Sequence, residues 1–280
     1  MHPRLLTVVA CALAMTSLAA QAAAPQPAKT ADEVIRRNVT ARGGLDAWRN
    51  VTTMVWLGHL ERANSQKDLR VPFVLQMQRP NLTRFELKEQ FQQFTRIFDG
   101  NHGWRIRPGS DGLPQTKSFS PAEATFAQQE YVIDGPLIDY VAKGVTADLD
   151  GIDTVENRKA YRLSLRLPSG GERKVWIDVA TNLEIRLDRP ATTLLAPGKP
   201  VSVYYGDYRR ENGLQIPHRI ETRADAGRSV YEAADKLIIE RVIVNPKLDA
   251  VAFSPPARPL RHGGGSLVRI PGEVPGASTP

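Results

Sequence analysis

From residue 51 the chain alternates apolar and polar positions with a period of two, the mark of strands buried on one face. Over residues 54–60, Met54, Trp56 and Leu60 share a face. Over 71–79, Val71, Phe73, Leu75 and Met77 are in phase, and over 82–89 Phe85 and Leu87 stand against Arg84, Glu86 and Lys88. Two more strands, 91–98 and 103–107, meet at Asp99-Gly100-Asn101-His102, a hairpin signal. Five strands in succession joined by short turns predict an antiparallel meander.

Ahead of these strands the period is helical. Thr30 can cap a helix, with Glu33 as its reciprocal partner. Val34, Ile35 and Val39 form its apolar stripe, and Gly43-Gly44 ends it. A short helix over 45–49 would bury Trp48. A second helical stretch lies within 118–143, capped by Ser120 with Pro121 in its first position. Gly135-Pro136 divides that stretch, leaving a short piece over 137–142 that is apolar on one side.

Strands resume after a turn at Asp148-Leu149-Asp150-Gly151. Tyr161, Leu163, Leu165 and Leu167 face one way, while Arg162 and Arg166 share the opposite face. Ser169-Gly170-Gly171 and Thr181-Asn182 turn into strands over 173–178 and 183–188. Three more strands are expected at 201–209, 214–223 and around 237–244. About ten strands exceed the roughly four to six of a usual sheet, so the expectation is a sheet that curls strongly or splits.

The two ends add an address and a tail. Arg4, the apolar run over 5–20 and the small residues before Pro25 read as a secretory signal peptide, cleaved after Ala22 or Ala24. The run falls short of the roughly 20 residues a membrane helix needs. Cys11 sits in a loose lipobox-like setting, Val8-Val9-Ala10-Cys11, but the apolar stretch before it is short and continues past it. It reads as a residue discarded with the signal, so the mature chain, one domain over 25–256, folds without disulfides. That suits the periplasm. Residues 257–280 are rich in Pro and Gly and read as a largely disordered tail in which 267–270 could add an edge strand.

The formal charge of +7 changes little. Basic and acidic residues are interspersed, without the basic block and interleaved aromatics of a nucleic-acid binder. Of the five histidines, His2 leaves with the signal, His59, His102, His218 and His262 are expected at surface or turn positions, and none has metal-ligand spacing. The 148–153 segment faintly resembles a calcium loop, but Asp153 holds the sixth position and Lys159 the twelfth. There is no nucleophile elbow, phosphate loop or dinucleotide fingerprint. No cofactor or metal is implied, and the expectation is a protein that is not an enzyme. An exported hydrolase with a scattered active site is the lesser alternative.

The bulky apolar residues of the first meander are the candidate site. Met54, Trp56, Phe73, Leu75, Met77, Phe85, Leu87, Trp104 and Ile106 would converge if the strands pair in order. Two readings stand side by side: an ordinary core under the helices, or an apolar hollow that binds a ligand.

The chain also resembles the LolA/LolB-like superfamily of outer-membrane lipoprotein-sorting proteins. The resemblance is carried by Ala41-Arg42-Gly43-Gly44-Leu45-Asp46-Ala47-Trp48, by Ile177-Asp178-Val179-Ala180-Thr181-Asn182-Leu183, by Asp207-Tyr208-Arg209 with Gly213-Leu214-Gln215-Ile216-Pro217, and by Asn245-Pro246 with Phe253-Ser254-Pro255. It implies a mainly β (α+β) fold: a strongly curved antiparallel sheet, an unclosed half-barrel, with helices covering its concave face. It implies a monomeric carrier that holds acyl chains of a lipid or lipoprotein, with a membrane transporter or outer-membrane acceptor as partner. Gly43, Gly44, Gly135 and Pro136 become hinge candidates for a cover, and Arg42 is the nearest match to the family's lid-locking arginine. The same architecture serves in periplasmic sensors that bind a partner protein, the main alternative.

Overall fold

In a computed structural model, residues 27–62, 70–89, 92–130, 133–190, 200–224 and 235–254 are described. The signal-peptide, Cys11, His262 and tail readings lie outside these residues. The chain opens with helix α1 (Ala31–Ala41) and a short helix α2 (Leu45–Arg49). Six strands follow: β1 (Thr53–Arg62), β2 (Arg70–Gln78), β3 (Leu82–Glu89), β4 (Gln92–Phe98), β5 (Gly103–Pro108) and β6 (Pro114–Ser118). After α3 (Pro121–Glu130) come turns over 133–144. The second meander is β7 (Thr146–Val155), β8 (Arg158–Arg166), β9 (Glu172–Asp178), β10 (Glu184–Pro190), β11 (Pro200–Glu211), β12 (Leu214–Ala224) and β13 (Asp235–Val244).

Among the described residues these thirteen strands form one antiparallel sheet in the order β6-β5-β4-β3-β2-β1-β13-β12-β11-β10-β9-β8-β7. The β1–β13 pairing joins the two meanders into a single surface. The edges β6 and β7 do not pair, so the sheet is unclosed, and it is not strongly curled. The expectation of a strongly curved half-barrel of about ten strands is therefore corrected. The reason lies in how the apolar face is covered. One hydrophobic cluster packs α1 against β8 and β9 through Val34, Ile35, Tyr161, Leu163 and Ile177. A second packs Trp48 of α2 against Met54, Phe73, Leu75 and Met77, with Leu214, Ile216 and Ile239. Each part of the face has its own cover, so a two-layer arrangement buries it without rolling up the sheet.

The caps form as the side chains dictate. Glu33 donates its backbone N–H to Thr30 Oγ1 (3.2 Å), but its carboxylate accepts from the Lys29 amide (3.1 Å) rather than from Thr30. At α3 the capping box is reciprocal: the Glu123 amide donates to Ser120 Oγ (3.3 Å) and the Ser120 amide to Glu123 Oε2 (2.8 Å). The 137–142 piece is turn rather than helix. Positive φ at Gly135 (71°), Asp139 (53°) and Gly144 (69°) interrupts any helical run.

Two strands differ from expectation. β6 is exposed along its whole length and lacks the alternation that marks a half-buried strand. β7 absorbs 148–153, expected to be a turn, as mid-strand backbone with a bulge between Leu149 and Gly151. Its acidic residues pair with the outward arginines of β8: Arg166 with Asp148 (2.8 Å), and Arg162 with Asp150 (3.3 Å) and Asp153 (3.4 Å). A charged edge strand of this kind discourages pairing with other chains. His59 and His218 are buried rather than at the surface; His218 Nδ1 donates to the Ile239 carbonyl (2.8 Å).

Candidate functional site: a cavity under the 133–144 segment

Between the two hydrophobic clusters, beneath the 133–144 segment, lies a cavity of about 570 Å³. Leu137 and Ile138, adjacent in that segment, are both buried; the first inserts into the α1 cluster and the second into the α2 cluster. Trp56 and Met77 contribute wall from the first meander; Val175, Leu187, Val203, Tyr205, Ile220 and Leu237 contribute wall from the second. The wall is apolar because these positions are in phase across the ladder: Val175 pairs with Leu187, Leu187 with Val203, and Tyr205 with Ile220.

The register also sorts the expected site residues. Met54 pairs with Met77, Trp56 with Leu75, and Leu75 and Phe73 with Phe85 and Leu87, so these seven share one face and one cluster. Phe73 and Phe85 meet with ring centroids 5.7 Å apart. Of the seven, Trp56 and Met77 line the cavity, and the others pack in the cluster that supports it. Trp104 and Ile106 pair with Ile97 and Thr95, which alternate with the Phe98 and Arg96 partners of Thr83 and Phe85. They therefore belong to the opposite face of the sheet. Gly135 and Pro136 line the cavity, while Gly43 and Gly44 sit at the α1–α2 corner.

A buried polar network holds the cover to the sheet. Arg42 Nη1 donates to the Asp134 carbonyl (2.8 Å) and to Glu184 Oε1 (3.2 Å). Its guanidinium stacks on Trp48, 4.4 Å from the ring centroid. Asp134 accepts from Arg79 Nη2 (2.7 Å) and Lys143 Nζ (2.6 Å), and Lys143 also donates to the Gly135 carbonyl (2.7 Å). Burial pushes the Lys143 ammonium below its usual range, with Asp134 opposing that shift. Tyr208 donates its hydroxyl to the Glu184 carbonyl (3.0 Å). Burial, then the nearby Glu184 carboxylate, raises Tyr205 to about 12 and holds Tyr208 well above its ordinary value. Both phenols stay neutral at physiological pH.

The hollow, expected in the first meander alone, takes the other half of its wall from β9 to β13. The signal was present. Arg173 is in phase with Val175 and Ile177, and Arg189 with Leu187, so each is a cation on an otherwise apolar face. Among the described residues no group of three or more His, Cys, Asp or Glu could hold a metal ion.

No family profile and no curated protein matches the chain. Among solved structures it is similar to a DUF1329 family protein from Desulfovibrio piger, at 12% identity and a TM-score of 0.53, covering 80% of this chain and 96% of that one. It is also similar to a LolA superfamily protein from Nitrosomonas europaea, at 10% identity and a TM-score of 0.52, covering 81% and 99%. At such identities the likeness is one of fold. A LolA superfamily protein is thus among the solved structures that share this fold, in line with the resemblance read from the sequence.

Proposed function

We propose that this protein is a periplasmic carrier that holds the acyl chains of a lipid or lipoprotein in the cavity between its sheet and the 133–144 segment. The observation that supports this most is the apolar wall drawn from both meanders around about 570 Å³. That volume falls within the roughly 300–1,000 Å³ of small-molecule sites, enough for acyl chains but not for a whole lipoprotein. Each buried methylene contributes about 0.8 kcal/mol, so a chain of about 14 gains on the order of 11 kcal/mol gross before ordering costs. Release then needs an opening. The 133–144 segment, with Gly135-Pro136 at its start and the Arg42–Asp134–Lys143 network beneath it, is the cover. The signal-peptide reading of residues 1–24 supports export to the periplasm, where a membrane transporter or outer-membrane acceptor would be the partner. The cavity binds and does not transform its cargo.

Uptake of N-phenyl-1-naphthylamine, a neutral probe that fluoresces in apolar surroundings, tests this reading. The wild-type protein is expected to take it up saturably. Trp56→Asp, which sets an unpaired carboxylate in the wall, is expected to lower affinity at least tenfold while leaving the circular dichroism spectrum unchanged. Failure of the wild-type protein to take up the probe, or equal uptake by a folded Trp56→Asp variant, would overturn it.

A further inference from the structure

The cavity wall carries a charge asymmetry that an apolar cargo alone does not explain. Among the described residues four lining side chains are cationic, Arg42, Lys143, Arg173 and Arg189, and the single lining carboxylate is Glu184. Arg42 faces Glu184 and Lys143 faces Asp134, so these cations belong to the network that fastens the cover. Arg173 and Arg189 belong to the sheet, where Arg173 Nη1 donates to the Glu172 carbonyl (2.8 Å). Leu187 pairs with Val175 and Asp188 with Lys174. Arg189 and Arg173 are the next residues of these two strands, both line the cavity, and each feels the other's charge. Arg173 is moreover more than nine-tenths buried. Burial, and after it the charge of Arg189, lowers the pKa of Arg173. Arg189 is held in a fixed plane, its guanidinium 4.6 Å over the ring of Phe126 in α3.

Two neighbouring planar cations on the wall of an apolar cavity have the chemistry of an oxyanion receptor. Guanidinium groups bind carboxylate or phosphate oxygens in a fork geometry, and such charge-assisted bonds are about twice as strong as neutral ones. We propose that the cargo is an anionic amphiphile, an acyl or alkyl chain ending in an oxyanion, whose head is held by Arg173 and Arg189. This rests on the carrier reading above and narrows it from any apolar chain to one with a negative end.

Competition against N-phenyl-1-naphthylamine tests it with palmitate, hexadecyl phosphate and hexadecanol, which share a chain length and differ in head group. At least one of the two anions is expected to displace the probe about tenfold or more better than the alcohol, and the better of them identifies a carboxylate or a phosphate head. Arg189→Gln is expected to bring the ratio of anion to alcohol affinity close to one, with Arg189→Lys restoring part of it. Arg173→Gln, on the neighbouring strand, is expected to act in the same direction. Equal displacement by all three compounds, or a ratio unmoved in both folded glutamine variants, overturns the head-group assignment while leaving the carrier reading intact. A wild-type protein that takes up no probe and binds none of the three overturns both.

Discussion

Asp178 ends β9 and ties the turn into β10 through one carboxylate. Its Oδ1 accepts from the amides of Ala180 (3.0 Å) and Thr181 (2.6 Å) and from the Thr181 hydroxyl (2.9 Å), and its Oδ2 faces Arg158 (2.8 Å). Burial alone would raise its pKa; the Thr181 donors and Arg158 outweigh that and hold it below the ordinary value of 3.8. A carboxylate with a lowered folded pKa gives stability that is fully present above its unfolded value and lost as pH falls through the folded one. Asp178→Ala is therefore expected to cost about 2 kcal/mol in urea unfolding at pH 7, with the difference from wild type shrinking once the pH falls below 3.8. A difference that stays constant into that acid range would contradict this role. Asn245 is similar in kind. From a left-handed backbone (φ 56°) its side chain accepts from the Thr52 amide (2.8 Å) and donates to the Asn50 carbonyl (3.0 Å), fastening the start of β1 to the end of β13. The residues that carried the family resemblance are thus largely residues that fix turns and corners. This is why the fold was legible in them and the cargo was not.

At the scale of elements, the corner between α1 and α2 shows how a glycine pair divides its work. Gly43 (φ 116°) lies against the β11–β12 turn: a Cβ there would stand 2.6 Å from the Gly213 carbonyl oxygen and 3.2 Å from Leu214 Cα. The Gln215 amide donates to the Arg42 carbonyl (3.0 Å), as does Trp48 Nε1 (3.0 Å), which completes the join. Gly44 (φ 95°) has open space around its missing side chain. Both substitutions strain the backbone by about 1–3 kcal/mol, and Gly43→Ala adds a backbone clash. It is expected to lower the urea midpoint clearly more than Gly44→Ala does; equal midpoints would contradict the close approach. Eleven of the thirteen strands among the described residues were legible, because one-sided burial writes a period of two into the chain. β6 was not, since an exposed edge strand such as Pro114–Ser118 has no buried face to impose alternation. β7 was obscured by Asp148-Leu149-Asp150-Gly151, whose aspartates resemble a turn but serve an edge ladder of ion pairs. The 137–142 piece has apolar residues spaced as in a helix, yet Leu137 and Ile138 are pulled into two different clusters, and tertiary packing overrode local preference.

At the scale of the molecule, strand number alone suggested strong curling, and the cover arrangement removed the need for it. The sheet stays open while α1, α2 and the 133–144 segment close its apolar face in two separate clusters. The cavity exists where those clusters do not merge. The expected face of Met54, Phe73, Leu75, Phe85 and Leu87 proved to be mostly packed core beside the cavity, with Trp56 and Met77 on its wall. That face is divided between packed core and cavity wall. What the sequence could not disclose was the long-range pairing of β1 with β13, which brings the second meander's Val175, Leu187 and Val203 around to the same space. The most direct measurement of the central claim is mass spectrometry of organic extracts from gently purified full-length protein, followed by reloading of the stripped protein with palmitate. The account predicts a chain-bearing anionic lipid at close to one equivalent, lost on denaturation and replaced by palmitate. A preparation that carries no lipid and accepts no palmitate would contradict it.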